Sequence, residues 1–213
     1  MLFNRLRRNK RGIVGIEAAI VLVAFIIIAA ALSYVVINMG FYTSQKTKET
    51  MQTGLDESLT ALQLDGIVTA KTNASSSEIL NVLVPVKLSA GKAAIDLGED
   101  AVVVSIYLNN QTLLNIYNGS TSTTNTTWDQ LSTTLSLGDN EAKFAIYNDN
   151  SNTVLESNEK AFLMIQLNAS DAEGMISDYE QVKIEVRTAK GAALTIIRTA
   201  PGGLQANEFV DLG

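Results

Sequence analysis

The feature that most constrains this chain is a run of 28 residues, Ala18 to Gln45, without a single charge; within it, Ala18 to Leu32 is apolar without exception. As a helix the run reaches roughly 42 Å, against about 30 Å of membrane hydrocarbon. Ile20, Val21, Leu22, Val23, Phe25, Ile26, Ile27, Ile28 and Leu32 together contribute about −3 to −5 kcal/mol to insertion. Glu17, at the near end, costs less than the roughly 2.5 to 3.5 kcal/mol of a mid-membrane acid, so insertion still wins. Arg5, Arg7, Arg8, Lys10 and Arg11 precede the run with no acid among them. That cluster is expected to stay cytoplasmic and to leave everything after the helix outside.

The rest of the composition narrows function by what it lacks. The 213 residues include no His and no Cys, so Ser-His-Asp and Cys-His nucleophiles, zinc fingers, redox pairs and disulfides are closed. There is no GxxxxGK[ST] phosphate loop either, and acid pairs such as Asp171 with Glu173 or Asp178 with Glu180 read as exposed turn residues. No enzyme is expected. The net charge of −6 conceals an asymmetry: without the first twelve residues, 11 basic residues face 22 acidic ones, a net of −11. Nucleic acid is not an expected partner.

The basic leader and apolar run could form a secretory signal cut after Ala29-Ala30-Ala31. Leu32-Ser33-Tyr34-Val35-Val36-Ile37 continues the apolar helix beyond that point, however, so such a cut leaves a greasy stump. The alternative lies in Lys10-Arg11-Gly12-Ile13-Val14-Gly15-Ile16-Glu17, where a short basic leader ends in Gly and the fifth residue after it is Glu. With the continuation Ala18-Ala19-Ile20, this segment resembles the class III signal of type IV pilin-like proteins. Val21 to Phe25 and then Tyr34 to Lys46 resemble the archaellins, the subunits of the archaeal motility filament; a non-rotating adhesive pilin would share Gly12, Glu17 and the apolar helix, and a membrane-anchored external β-domain would keep its leader.

The resemblance is specific over about the first fifty residues. It implies a leader removed by a prepilin-type peptidase between Gly12 and Ile13, retention of the apolar helix, extraction from the membrane at an assembly platform, and a separate motor. For Glu17 it implies a contact with a neighbouring subunit's new α-amino group that sets axial register. Glu17 is equally readable as an acid favoured near a helix N-terminus.

Beyond Gln45 the chain turns amphipathic, with Met51, Leu55, Leu59 and Leu62 at helical spacing, and no Pro occurs between Ile13 and Leu64. A single helix over that span is about 78 Å long, too long for a domain of this size to cover, so lipid or copies of itself must bury it. Gly40 and Gly54 each cost about 1 kcal/mol relative to Ala and favour close helix packing. Asp65-Gly66 is the expected stop.

After Gly66 the period changes from 3.6 to 2. Strands are predicted at Ile79 to Leu88, Ala101 to Leu108, Lys143 to Tyr147, Ala161 to Leu167, Val182 to Thr188 and Leu194 to Arg198, with Lys190-Gly191 as a hairpin turn. Pro85 fits an edge strand or bulge and Pro201 a strand exit. With almost no helical signal, the expected fold class is α+β: a leader (1–12), a long helix (13–66) and an antiparallel β-sandwich or barrel (67–213).

Five N-x-S/T sequons, at Asn73, Asn110, Asn118, Asn125 and Asn168, stand on this external portion. They point to N-glycosylation; the plainer reading is polar solubilisation of loops. Three of them fall between Asn109 and Thr127, which reads as an exposed loop. The segment Asn148 to Glu159 has calcium-loop spacing, with oxygens from Asn148, Asn150, Asn152, Val154, Glu156 and Glu159, although Asn replaces Asp at its first position and Thr replaces Gly at its sixth. Its other reading is an Asn-rich turn between strands. No cofactor is required.

Overall fold

A computed structural model of the chain describes residues 11–58, 61–90, 94–125, 127–148, 150–170 and 174–213. It divides into two units, Met1–Thr53 and Gly54–Gly213.

The helix α1 spans Arg11–Ser58, 48 residues. Four of its hydroxyls are satisfied along its own axis: those of Ser33, Thr47, Thr50 and Thr53 each donate to the carbonyl four residues earlier, at 2.7 to 2.9 Å. Lys46 and Glu49 pair at 2.8 Å.

The strands that follow are, in chain order, β1 (Leu62–Leu64), β2 (Thr69–Thr72), β3 (Ile79–Leu88), β4 (Ile95–Asp96), β5 (Val102–Tyr107), β6 (Thr112–Leu113) and β7 (Tyr117–Thr123). A second helix, α2 (Trp128–Leu135), comes next. Then come β8 (Glu141–Tyr147), β9 (Val154–Leu155), β10 (Lys160–Gln166), β11 (Gln181–Thr188), β12 (Leu194–Thr199) and β13 (Phe209–Asp211). The larger sheet runs β13-β2-β3-β10-β8-β7, with β1 also on β3; the smaller runs β12-β11-β5-β6, and β4 pairs β9.

The two larger sheets bury their alternating faces against each other. In β3, Ile79, Val82, Val84, Val86 and Leu88 point inward, and Val104, Ile106, Ile184 and Val186 answer from the smaller sheet. The result is an open sandwich, not a closed barrel. Its pairing departs from the all-antiparallel expectation once, since β7 runs parallel to β8. A parallel neighbour needs a crossover, and α2 lies on it. Leu131 and Leu135, one turn apart, seat that helix on Ala145 and Met164 on the outer face of the larger sheet. Strands β8 and β10 are therefore buried on both faces, which explains the unbroken runs Phe144-Ala145-Ile146 and Leu163-Met164-Ile165.

Three expectations need correction. The helix does not reach Gly66: α1 ends at Ser58, and Leu62 to Leu64 pairs with β3, Leu62 opposite Leu88 and Leu64 opposite Val86. The sequence Leu62-Gln63-Leu64 alternates as well as it coils, and burial of Leu62 in the sandwich decides the matter. Leu59 lies outside the described residues. Asp65 is no helix stop, since its carboxylate is clamped between the ammoniums of Lys87 at 2.7 Å and Lys160 at 2.6 Å. Hydrogen bonds from Lys160, then Lys87, hold that carboxyl below the usual carboxylate range.

Pro85, expected at an edge or bulge, sits inside β3 with Phe162 of β10 opposite it. Its other side faces the step from β1 to β2, where its carbonyl accepts from the Asp65 amide at 2.9 Å and no N–H is required. Gly66 makes the same step at φ +155; a Cβ there would stand 3.3 Å from the Pro85 Cγ. Last, Asn109 to Thr127 is not one loop, because β6 and the polar strand β7 lie within it. The Lys190-Gly191 turn joins β11 to β12 as expected, with Gly191 at φ +97, and Pro201 follows the end of β12.

Candidate assembly surface and modification sites

Every described side chain of α1, from Gly15 to Ser58, is exposed within the chain, including Ile16, Val21, Phe25, Ile27, Tyr34, Val36 and Phe41. Residues Gly15–Ser58 form the one helix among the described residues long and apolar enough to cross a membrane. Such a surface is far larger than the few hundred Å² that soluble monomers expose, so it is a contact surface for lipid or for other helices. Gly15, Gly40 and Gly54 carry the same message, since a Cβ at any of them would meet nothing within 4 Å. No packing among the described residues calls for glycine there, whereas close approach of another helix would.

Glu17 is exposed on this apolar helix beside Ala18 and Val21, and makes no ion pair among the described residues. Gly12 and Ile13 fall in the first turn of α1, while the leader up to Lys10 lies outside the described residues.

The five sequon asparagines differ in what their amides do. Asn110 is exposed, with no side-chain hydrogen bond among the described residues. Asn168 is half-buried and accepts the Ser170 amide at 2.9 Å through Oδ1, leaving Nδ2 uncommitted among the described residues. Asn118 donates to Glu141 and Asn125 to the Thr134 hydroxyl at 2.9 Å. Asn73 is half-buried, with Nδ2 3.8 Å from the Met175 sulfur. Thr126, in the Asn125 sequon, lies outside the described residues. Glu141, which holds Asn118, is raised by burial but lowered more by the Gly138 amide, Asn118 and Lys143, so its carboxyl ends below the ordinary range.

In the segment from Asn148 to Glu159 the oxygens serve the turn. Oδ1 of Asn152 accepts the Val154 amide at 2.7 Å, and Glu159, itself buried, accepts the Glu156 amide at 2.8 Å. The Asn150 amide reaches Glu156 at 3.5 Å. Thr153 ties the segment to Asp96 through its hydroxyl at 3.0 Å, beside the β4–β9 pair. Asp149 lies outside the described residues, as do Asp171 and Glu173. No cluster of three or more His, Cys, Asp or Glu side chains able to hold a metal occurs among the described residues.

Sequence reasoning passed over Trp128, the single tryptophan, which with Lys71, Asn81, Gln166 and Asn207 lines a groove beside α2. Its signal was present: Trp128, Leu131 and Leu135 repeat at helical spacing inside a polar stretch, with Asp129 in the first turn.

The archaeal-type flagellin family matches the chain over residues 12–198. A probable flagellin 1 of Aeropyrum pernix is 39% identical over 209 residues, 97% of this chain and 100% of that one. Among solved structures, the fold is similar to the archaeal flagellin FlaB1 of Methanocaldococcus jannaschii, with a TM-score of 0.59 and 20% identity over 71% of this chain and 95% of that one. It is similar as well to the archaeal flagellum of Methanospirillum hungatei, with a TM-score of 0.59 and 21% identity over 91% of this chain and 97% of the other. With a long helix whose described side chains are exposed and a sandwich that follows it in the chain, this chain belongs to the archaeal-type flagellin family.

Proposed function

We propose that the chain is the precursor of a structural subunit of an extracellular archaeal motility filament, a homopolymer whose core is made by copies of α1. The observation that carries this reading is the exposure of apolar side chains on every face of α1 from Ile16 to Tyr42. Two occupants suit it in turn: lipid before assembly, with the basic end in the cytoplasm, and neighbouring helices afterwards. The role is structural and asks no catalysis of the chain.

Processing follows from the same surface. Cutting between Gly12 and Ile13 by a prepilin-type peptidase removes the five basic residues that hold the helix end in the cytoplasm, so the subunit can leave the bilayer at an assembly platform driven by a separate motor. It also creates an amine that Glu17 of an adjacent subunit can pair with in apolar surroundings, where a lone carboxylate is costly. Intact mass and N-terminal sequencing of extracellular material test the reading: Ile13 as first residue supports it. Leu32 would indicate a secretory signal, and Met1 a permanent anchor; either overturns it.

Two further proposals concern the sandwich. N-glycosylation falls first on Asn110 and Asn168, whose Nδ2 atoms are uncommitted among the described residues, and last on Asn118 and Asn125, whose amides hold Glu141 and Thr134. Glycopeptide mass spectrometry reads the order; modification of Asn118 and Asn125 with Asn110 bare reverses it. A calcium ion at Asn148, Asn150, Asn152, Val154, Glu156 and Glu159 would draw Asn152 and Glu159 away from their backbone donors, so its affinity is millimolar at best. Absence of calorimetric heat at millimolar calcium removes it.

A further inference from the structure

The groove beside α2 has a volume of about 410 Å³, within the range of small-ligand sites. Its walls carry four amide side chains, Asn73, Asn81, Gln166 and Asn207, together with Lys71 and the indole of Trp128. No carboxylate is among its lining residues, so it offers neither a cation site nor general acid–base chemistry.

The walls are fixed in advance. Asn81 donates to Gln166 at 3.3 Å, across paired positions of β3 and β10. The backbone N–H of Asn207 donates to the backbone carbonyl of Asn73 at 2.9 Å. Beside them the buried Thr72 hydroxyl donates to the Gln205 carbonyl at 2.6 Å and accepts the Glu208 amide at 2.7 Å. Trp128 stands edge-on to Phe209, ring centres 5.5 Å apart, while the Lys71 ammonium lies 4.9 Å from the same Phe209 ring and 3.5 Å from Asp129.

Each planar amide offers one acceptor and two donors at fixed spacing, which complements the vicinal hydroxyls of a sugar ring, and an indole complements the ring's C–H face. A nucleotide or other polyanion would call for a cationic cluster, and the lone cation here is already engaged by Asp129. We propose that this groove binds a saccharide. Two sources have the same chemistry: a glycan carried on Asn73, whose sequon forms part of the wall, and a glycan carried on another chain. The proposal does not depend on filament formation, and its test can fail while that reading stands.

Trp128 is the only tryptophan, so its emission reports the groove. The full chain, produced in a host without N-glycosylation and held in a detergent lacking a sugar head group, is titrated with diacetylchitobiose and with oligosaccharides released from native filaments. The expected result is a saturable change in emission with at least one of these probes. Asn81→Ala, Gln166→Ala and Asn207→Gly should each weaken it roughly tenfold, the effect of losing about one hydrogen bond. Asn207 sits at φ +57, so glycine keeps its backbone, and an unchanged melting temperature shows that the fold survives.

In native filaments, Asn73→Gln should make Trp128 more accessible to acrylamide when the sugar is carried on Asn73, and should leave it shielded when another chain supplies it. Emission that does not saturate up to about 10 mM of either probe, with no calorimetric heat, overturns the proposal.

Discussion

Alanine substitutions placed round α1 give the sharpest test of how its surface is used. Ile20, Leu22, Phe25 and Ile28 lie at roughly 0°, 200°, 140° and 80° about the axis, so they sample an arc of about 200°, wider than a two-helix seam. Within the chain they are 64%, 61%, 71% and 58% exposed. Full burial of such a side chain contributes about 1.5 to 3 kcal/mol, so covering the exposed share in a bundle contributes about 1 to 2 kcal/mol each, before any cavity is counted. At about 1.4 kcal/mol per factor of ten, each substitution should raise the soluble subunit fraction in equilibrium with filament about five- to thirtyfold. The assay is heating of isolated filaments followed by pelleting, with the melting of the sandwich as an internal control. A helix packed on all sides predicts losses of similar size at all four positions. Losses confined to one stripe would point to a two-helix seam, and wild-type behaviour at all four would refute a packed core altogether.

Phe144→Ala should destabilise the sandwich by about 3 to 5 kcal/mol, because Phe144 is fully buried and packs edge-on to Tyr117; calorimetry should show the midpoint falling by roughly 6 to 20 °C. Asp65→Asn should cost about 1 kcal/mol at neutral pH, a figure kept small because Lys87 and Lys160 are 41% and 59% exposed. Its folded carboxyl lies below the ordinary aspartate range, so this stability is present above about pH 4 and disappears as pH falls through the lowered folded value. A gap between the two proteins that does not narrow as the pH falls below about 4 removes the ion pairs as its cause. Gly12→Leu should block maturation, giving membrane-retained chains that begin at Met1 by mass spectrometry. Glu17→Gln should leave processing intact and impair assembly; normal filaments from that variant would sink the register role.

The apolar helix and the six main strands were legible because their chemistry is redundant. Ile79 to Leu88 alternates, is rich in β-branched residues and is predicted end to end, since no competing period fits it. Strand β7 was illegible for the opposite reason: Tyr-Asn-Gly-Ser-Thr-Ser-Thr carries loop residues, and only pairing with β8 makes it a strand. Leu62-Gln63-Leu64 satisfied both periods, so the end of α1 depended on a partner 24 residues further on. The sequons could be found by eye, but which amides are already engaged depends on Glu141 and Thr134, brought together by the fold. The groove beside Trp128 draws its walls from five separated segments, and no local pattern announces that.

The short strand β1 has a mechanical consequence. Tension on the backbone of α1 enters the sandwich through Leu62 to Leu64, the first of the described segments hydrogen-bonded into a sheet. Three residues zipped to β3, with a carboxylate gripped by two lysines directly behind them, form a small shackle on the chain's path from α1 into the sandwich. Load would reach that shackle before it reached the sandwich core, so the first event under excessive strain should be the peeling of β1 while the rest of the sandwich stays folded.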